Sequence, residues 1–173
     1  MNYRKQLLIG GGLALALLGL NSCGNMKSGS AGSSFSFDPP VTQPTNRSAV
    51  KVKISTGAQR LYVVEGDKVL LATPCSVGKP GSVTPGGNHR ISSKTKFRRR
   101  VSSPGAGYPM TYWISFYSPA YGMHWGFIKP YPTTAGCVRL PLNSARKVFD
   151  LVQVGTPMNV SHSQPWDSNI GAK

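Results

Sequence analysis

The residues of this chain best suited to chemistry are Cys137 and His124. Cys137 stands in the stretch Thr134-Ala135-Gly136-Cys137-Val138-Arg139-Leu140. Small residues and glycine before a cysteine let a substrate carbonyl approach the sulfur and the local backbone N–H groups together. A free thiol has a pKa of about 8.5 and is mostly neutral at pH 7, so as a nucleophile it needs a neighbouring base or positive charge. His124 lies thirteen residues upstream, after Tyr121-Gly122-Met123, and the Pro-rich stretch Lys129-Pro130-Tyr131-Pro132 separates the two. A strand end bearing His124 and a returning loop bearing Cys137 can meet in space as nucleophile and general base. Taken alone the pair is a weak signal, because free cysteine is commonly a small, buried and unreactive residue.

The other reactive side chains carry less. Cys75, before the loop that starts at Ser76, reads as a buried apolar residue, and a Cys75–Cys137 disulfide would abolish thiol chemistry. His89 and His162 read as structural or exposed. A zinc site from His124, His162 and Cys137 lacks recognisable ligand spacing, so neither metal nor cofactor is expected. Trp113, Trp125 and Trp166 read as core or groove residues, with Trp125 best placed to shape a pocket beside His124.

The elements that must position these residues are mostly strands. Val50, Val52 and Ile54 alternate with Lys51, Lys53 and Ser55, the period of a half-buried strand. Arg60–Val64 and Lys68–Thr73 flank the turn Glu65-Gly66-Asp67 and predict a hairpin. Gly78–Asn88 is a turn-rich loop; His89–Ser92, Thr111–Tyr117 and Pro157–Ser161 are further strand candidates. Lys94–Arg100 (KTKFRRR) falls in a loop, either simply solvated or in contact with wall or lipid anions. One helix is predicted over Asn143–Val154, capped by Asn143 or Ser144 and ended by Gly155. Its core face is Ala145, Val148, Phe149 and Val152. The expected fold class is mainly β, a β-sandwich with one packed C-terminal helix.

Composition bounds the setting. The chain has 173 residues, with 20 Lys and Arg against 5 Asp and Glu, a net charge of +15 and 39% apolar residues. That excludes an acidic tail or wholesale disorder and allows an anionic partner: nucleic acid, a membrane surface or a wall polymer. Met1–Gln6 carries Arg4 and Lys5, and Leu7–Leu20 is an apolar run of fourteen residues. At ~1.5 Å per residue it reaches about 21 Å, short of a ~30 Å hydrocarbon core, and it reads as a secretory signal. Leu20-Asn21-Ser22-Cys23 resembles a bacterial lipobox, which implies that residues 1–22 are removed and Cys23 is lipidated. Gly24 follows it rather than Asp, which leans towards the periplasm and the outer membrane. Loss of Arg4 and Lys5 leaves +13 on an exported chain. Such a chain does not meet the chromosome, and no nucleic-acid-binding pattern is present. Residues 23–47, rich in Ser, Gly and Pro, read as a flexible tether with a span of about 25–30 Å. Residues 48–162 form the folded domain and 163–173 a C-terminal tail.

A family resemblance ties these residues together. Gly136-Cys137-Val138-Arg139-Leu140 with His124 upstream resembles the signature of the L,D-transpeptidases, the YkuD domain family: a His, a spacer, then Ser/Thr-His-Gly-Cys, an apolar residue and Asn or Arg. Leu61-Tyr62-Val63-Val64 with Gly66 resembles its opening hairpin. Ser76-Val77-Gly78-Lys79-Pro80-Gly81 with Thr84-Pro85-Gly86-Gly87 resembles its S-x-G-K…T-P-x-G loop. Met110-Thr111-Tyr112-Trp113 and Leu142–Val160 resemble the stretches before its histidine and at its C-terminal end. The sequence departs from the pattern at Ala135, where the family usually has a second His, and in a spacer a few residues shorter.

The resemblance implies a cysteine L,D-transpeptidase acting on peptidoglycan stem tetrapeptides. His124 would take the thiol proton to give a thiolate–imidazolium pair, its ring held by the Trp125 carbonyl. Cys137 would attack the carbonyl between the diamino acid and the terminal D-Ala and release D-Ala. N–H groups of Gly136 and Cys137, with the Tyr112 hydroxyl, would hold the oxyanion. An amine of a second stem would resolve the thioester as a 3→3 cross-link; a wall-attached protein amine or water are the other acceptors, the last making an L,D-carboxypeptidase. Thr134 and Arg139 would contact substrate, Arg139 through a carboxylate, or else Arg139 would brace the loop. A non-catalytic peptidoglycan-binding lipoprotein on a degenerate version of the fold is the rival reading.

Overall fold

The structure, a computed structural model, describes residues 37–100, 105 and 107–169. The signal segment, Cys23 and the first part of the tether lie outside the described residues. Among the described residues, nine strands form two sheets. The first has the order β3-β2-β1-β9-β4, from Lys68–Pro74, Arg60–Glu65, Val50–Ser55, Pro157–Ser161 and Gly87–Arg90; the second has the order β5-β6-β7-β8, from Ser93–Thr95, Trp113–Phe116, Ser118–Trp125 and Val138–Leu140. The expected β-sandwich with one helix is what the chain forms.

Alternation explains the packing. Val50, Val52, Ile54, Leu61, Val63, Met158 and Val160 face inward from the first sheet; Ile114, Met123, Val138 and Leu140 face them from the second. Burying each such side chain contributes about 1.5–3 kcal/mol before entropy is counted. The helix α1, Leu142–Leu151, seats Ala145, Val148 and Leu151 in the same core. Among the described residues, no helix is long and apolar enough to cross a membrane.

Three boundaries differ from expectation for identifiable reasons. Helix α1 starts after Pro141, which makes no side-chain capping bond. Ser144 lies in the first turn instead, where its hydroxyl accepts from Thr73 Oγ1 at 2.7 Å. The helix ends at Leu151 because the Gln153 N–H is taken by Thr156 Oγ1 at 2.9 Å, ahead of Gly155. Lys94, expected in a loop, is the middle of β5; its ammonium lies 4.3 Å over the Phe149 ring and donates to the Val152 carbonyl at 2.6 Å.

Both flanking segments lie along the domain where they are described. Asp38 pairs with Lys147 at 2.6 Å, Lys147 also donates to the Pro39 carbonyl, and the Thr42 N–H bonds the Leu70 carbonyl at 2.9 Å. Glu65 accepts from the N–H groups of Thr45 and Asn46. On the C-terminal side Gln164 is buried and donates to the Ile54 carbonyl, while Trp166 packs 5.8 Å from Tyr62. Asp167 accepts from Ser55 Oγ at 2.7 Å, Tyr62 Oη at 2.8 Å and the Gln164 N–H at 2.9 Å. Asp167→Ala leaves Ser55 and the buried Tyr62 hydroxyl without this acceptor, and is expected to cost about 2–3 kcal/mol in urea denaturation. An unchanged midpoint would show that the tail adds nothing to the fold.

Candidate active site

The site is built by a parallel strand pair. β7 and β8 align Met123 with Val138 and His124 with Arg139. Met123 and Val138 are fully buried in the core. Since successive side chains alternate, Gly122 and His124 on β7 and Cys137 and Arg139 on the β8 side share the opposite face. Cys137, one residue before β8, falls opposite Gly122, and His124 is its diagonal neighbour. Strand spacing and rise put their Cα atoms about 8 Å apart. The antiparallel pair Ile114–Met123 on β6 likewise brings Trp113 to the flank of His124.

His124 is 8% exposed. Its Nδ1–H donates to the Trp125 carbonyl at 2.6 Å, the carbonyl that the family resemblance selects. This bond fixes the tautomer and leaves Nε2 with a lone pair for a proton. The Trp113 ring stacks on the imidazole, centroids 5.8 Å apart, and the Arg98 guanidinium lies 4.2 Å from the Trp113 ring on top. Gly122 makes room for this column: a Cβ there would sit 2.5 Å from the indole. Burial pulls the His124 pKa down to about 4, against the Trp125 bond, which raises it; the Arg139 charge adds to the lowering.

Cys137 is partly buried, and its thiol donates to the Ala120 carbonyl at 3.7 Å. Burial pushes its pKa up, opposed by the Gly122 N–H and by the charges of Arg139, Arg98 and Arg100. The two shifts run towards neutrality on both partners. Both shifts favour thiol and imidazole as the resting pair, with the sulfur hydrogen-bonded to the Ala120 carbonyl.

The nucleophile loop is held from both sides. Ser76 exchanges both backbone bonds with Arg139, at 3.0 and 2.9 Å, and Thr134 bonds to Val77 and Lys79. The Ser76 hydroxyl accepts from the Lys129 N–H at 2.6 Å and donates to the Lys129 carbonyl at 3.0 Å. Gly136 has φ +106°, and a Cβ on it would meet the Tyr121 ring at 2.6 Å, so only glycine fits.

Three groups expected at the site have other partners within the fold. The Gly136 N–H is given to Thr134 Oγ1 at 3.1 Å. Thr134 is 2% exposed and its hydroxyl also donates to the Cys137 carbonyl at 2.6 Å, so it braces the loop rather than touching substrate. Tyr112, at positive φ, packs its ring 5.7 Å from Phe149 of the helix. Its neighbour Trp113 holds the place beside His124; the alternation Trp113/Ser115 against Gly122/His124 was the available signal for it.

The remaining candidates are placed as follows. Trp125 packs its ring between Tyr108 and Phe127. Arg139 lies over Gly126, partly buried, and pairs with no carboxylate among the described residues. Ala135 is exposed. Cys75 and Cys137 are both free, which removes the disulfide. Among the described residues no three His, Cys, Asp or Glu side chains converge.

The depressed His124 pKa has a consequence for stability. Between pH 6.5 and about 4 the unfolded chain binds a proton here that the folded protein excludes. Stability falls as pH drops through that window, by up to roughly 3 kcal/mol. Urea denaturation at pH 7, 5.5 and 4 is expected to show this slope, and His124→Gln to flatten it. A slope unaffected by the substitution would assign it to other groups.

Comparison with known proteins follows the same outline. Residues 49–160 match YkuD, the L,D-transpeptidase catalytic domain. Among curated proteins, none matches this chain. An L,D-transpeptidase from Stackebrandtia nassauensis is similar with 22% identity and a TM-score of 0.60, over 72% of this chain and 60% of that one. L,D-transpeptidase 1 of Mycobacterium tuberculosis is similar with 26% identity and a TM-score of 0.55, over 65% of this chain and 61% of that one. An L,D-transpeptidase of Enterococcus faecium is similar with 23% identity and a TM-score of 0.57, over 65% of this chain and 50% of that one. The chain thus spans about three-fifths of the length of the first of these structures. With the family match covering most of its length, the chain belongs to the YkuD family of L,D-transpeptidase catalytic domains.

Proposed function

We propose that the protein is a cysteine-dependent L,D-transpeptidase that acts on peptidoglycan stem tetrapeptides through a thioester. The observation that carries this reading is the shared face of Cys137 and His124, with the His124 tautomer set by the Trp125 carbonyl. As the sulfur attacks the carbonyl of the diamino acid, its proton passes to His124 Nε2 and the oxyanion is met by the Cys137 N–H. The C–N bond to D-Ala then breaks, and the proton goes from His124 to the departing amine. An amine of a second stem, or of a wall-attached protein, gives up a proton to His124 and displaces the thiolate, forming the new amide. Because both resting groups are neutral, deprotonation is coupled to attack, and the thiol gives up its bond to the Ala120 carbonyl as its proton passes to His124.

Ala135 and the thiol's resting bond to Ala120 favour a slower or differently selective enzyme, and they are the observations behind the rival reading of a wall-binding protein without activity. Incubation of the soluble domain with disaccharide-tetrapeptide separates them. The expected result is an acyl adduct on Cys137, release of D-Ala and dimeric muropeptide, all abolished by Cys137→Ala. Neither adduct nor D-Ala sinks the enzyme reading; D-Ala without dimers makes water the acceptor and the protein a carboxypeptidase.

The same reading places the domain in the periplasm, tethered by lipid on Cys23, with the outer membrane as its address. Its support is the basic, apolar and Leu20-Asn21-Ser22-Cys23 sequence at the N-terminus. Cys23→Ser is expected to abolish metabolic labelling with a fatty-acid analogue; labelling that persists refutes the anchor.

A further inference from the structure

The arm that carries Arg98 and Arg100 has a regular geometry. The Lys96 carbonyl accepts from the Tyr112 N–H and the Arg98 carbonyl from the Met110 N–H, each at 2.8 Å, and Arg99 bridges Pro109. This extended pairing sends alternate side chains to opposite sides. Arg98 lies 4.2 Å from the Trp113 ring, which itself stacks on His124, so Arg100, two residues on, shares the Trp113 side of the arm, while Phe97 is 71% exposed on the other. Arg98, Arg100 and Arg139 all act electrostatically on the Cys137 sulfur.

None of the chain's five acids neutralises this cluster. Asp38 is paired with Lys147, Glu65 holds the N–H groups of Thr45 and Asn46, and Asp167 holds Ser55 and Tyr62. Asp67 sits in the β2–β3 turn, and Asp150 is exposed on α1. A guanidinium held against an indole has already given up part of its rotational freedom, so it gives up less on binding an anion, and its planar fork matches a carboxylate. Beneath it the Trp113 Nε1–H is buried without an acceptor among the described residues.

We propose that Arg98 and Arg100 form a carboxylate-binding subsite beside Cys137, which selects donor stem peptides whose side-chain carboxylates are free over the same stems with those groups amidated. The proposal rests on the assignment of Cys137 as the acylated residue and adds to it the chemical class of the preferred donor. A carboxamide has the shape of a carboxylate without its charge, so it isolates the interaction with arginine. Removing either arginine–carboxylate hydrogen bond is expected to lower the specificity constant roughly tenfold.

The test compares kcat/KM for D-Ala release from disaccharide-tetrapeptides with free and with amidated side-chain carboxylates, for the wild-type domain and for Arg98→Gln/Arg100→Gln. Wild type is expected to prefer the free acid at least tenfold, and the double variant to bring the ratio of the two kcat/KM values close to one, because any effect of the arginines on the sulfur is common to both donors and cancels in that ratio. Equal rates on the two donors in wild type, or a preference unchanged in the variant, overturn the subsite while leaving the transpeptidase reading standing. If neither donor releases D-Ala, the transpeptidase reading fails, and the subsite is decided by binding. Both peptides are then titrated against Cys137→Ala protein with and without the two arginines, read by tryptophan fluorescence. Tighter binding of the free acid that depends on the arginines supports the subsite; equal affinities overturn it.

Discussion

The pairing of β7 with β8 runs for only three residue pairs, yet it decides which face of the sheet presents the thiol. A slip of one residue would send Cys137 into the core and bring Val138 out, because strand side chains alternate. Three ladder pairs, each contributing about 1 kcal/mol net per hydrogen bond, are too few to hold that register alone. It is held instead by burial of Met123, Val138 and Leu140 on one face and by Ser76, Val77 and Lys79 along the free edge of the nucleophile loop. The Ser76 hydroxyl, tied to both backbone groups of Lys129, fixes the far side of the same loop. The spacing of nucleophile and base is thus a property of two sheets joined at an edge, not of the short segment between His124 and Cys137.

Electrostatics at the site follow from scarcity of acids. A main-chain carbonyl orients His124 where a carboxylate would otherwise be needed, and that choice costs the imidazole the help of a negative charge when it is protonated. Trp113 and the protein interior then keep it neutral, and the nearby arginines favour the thiolate once it forms. Both groups are thus held towards their neutral forms at rest, which leaves the thiol less open to oxidation than a thiolate would be.

Much of this was legible in the residues themselves. The alternation of Val50, Val52 and Ile54, the turn at Glu65-Gly66-Asp67 and the closing run Pro157–Ser161 correspond to strands because each has one buried and one solvated face or a turn with a single solution. The family motif led directly to Cys137, His124 and the Trp125 carbonyl. What was hidden depended on tertiary packing. Ser144 looked like a cap but bonds Thr73 across the core; Lys94 looked like loop but sets its ammonium over Phe149. Thr134 looked like a substrate ligand but is consumed by its own loop, and the bend at Tyr112 moved that ring to the helix side and left Trp113 next to the base. The docking of residues 37–47 rests on single long-range bonds to Lys147, Glu65 and Leu70, which no local composition announces.

The parallel pair formed by β1 and β9 has a consequence for how the chain folds. It joins the first strand of the domain to the last, with about a hundred residues between them, and β9 in turn carries β4. Pairings of such high sequence separation close late, since the entropy of ordering the intervening chain is spent before the pairing returns anything. The β2–β3 hairpin can form early from local sequence, but the first sheet waits for the end of the domain. An incomplete chain therefore holds its hairpin without a closed core, and the arrangement of Cys137 and His124 comes into being only once the last strand has joined the first.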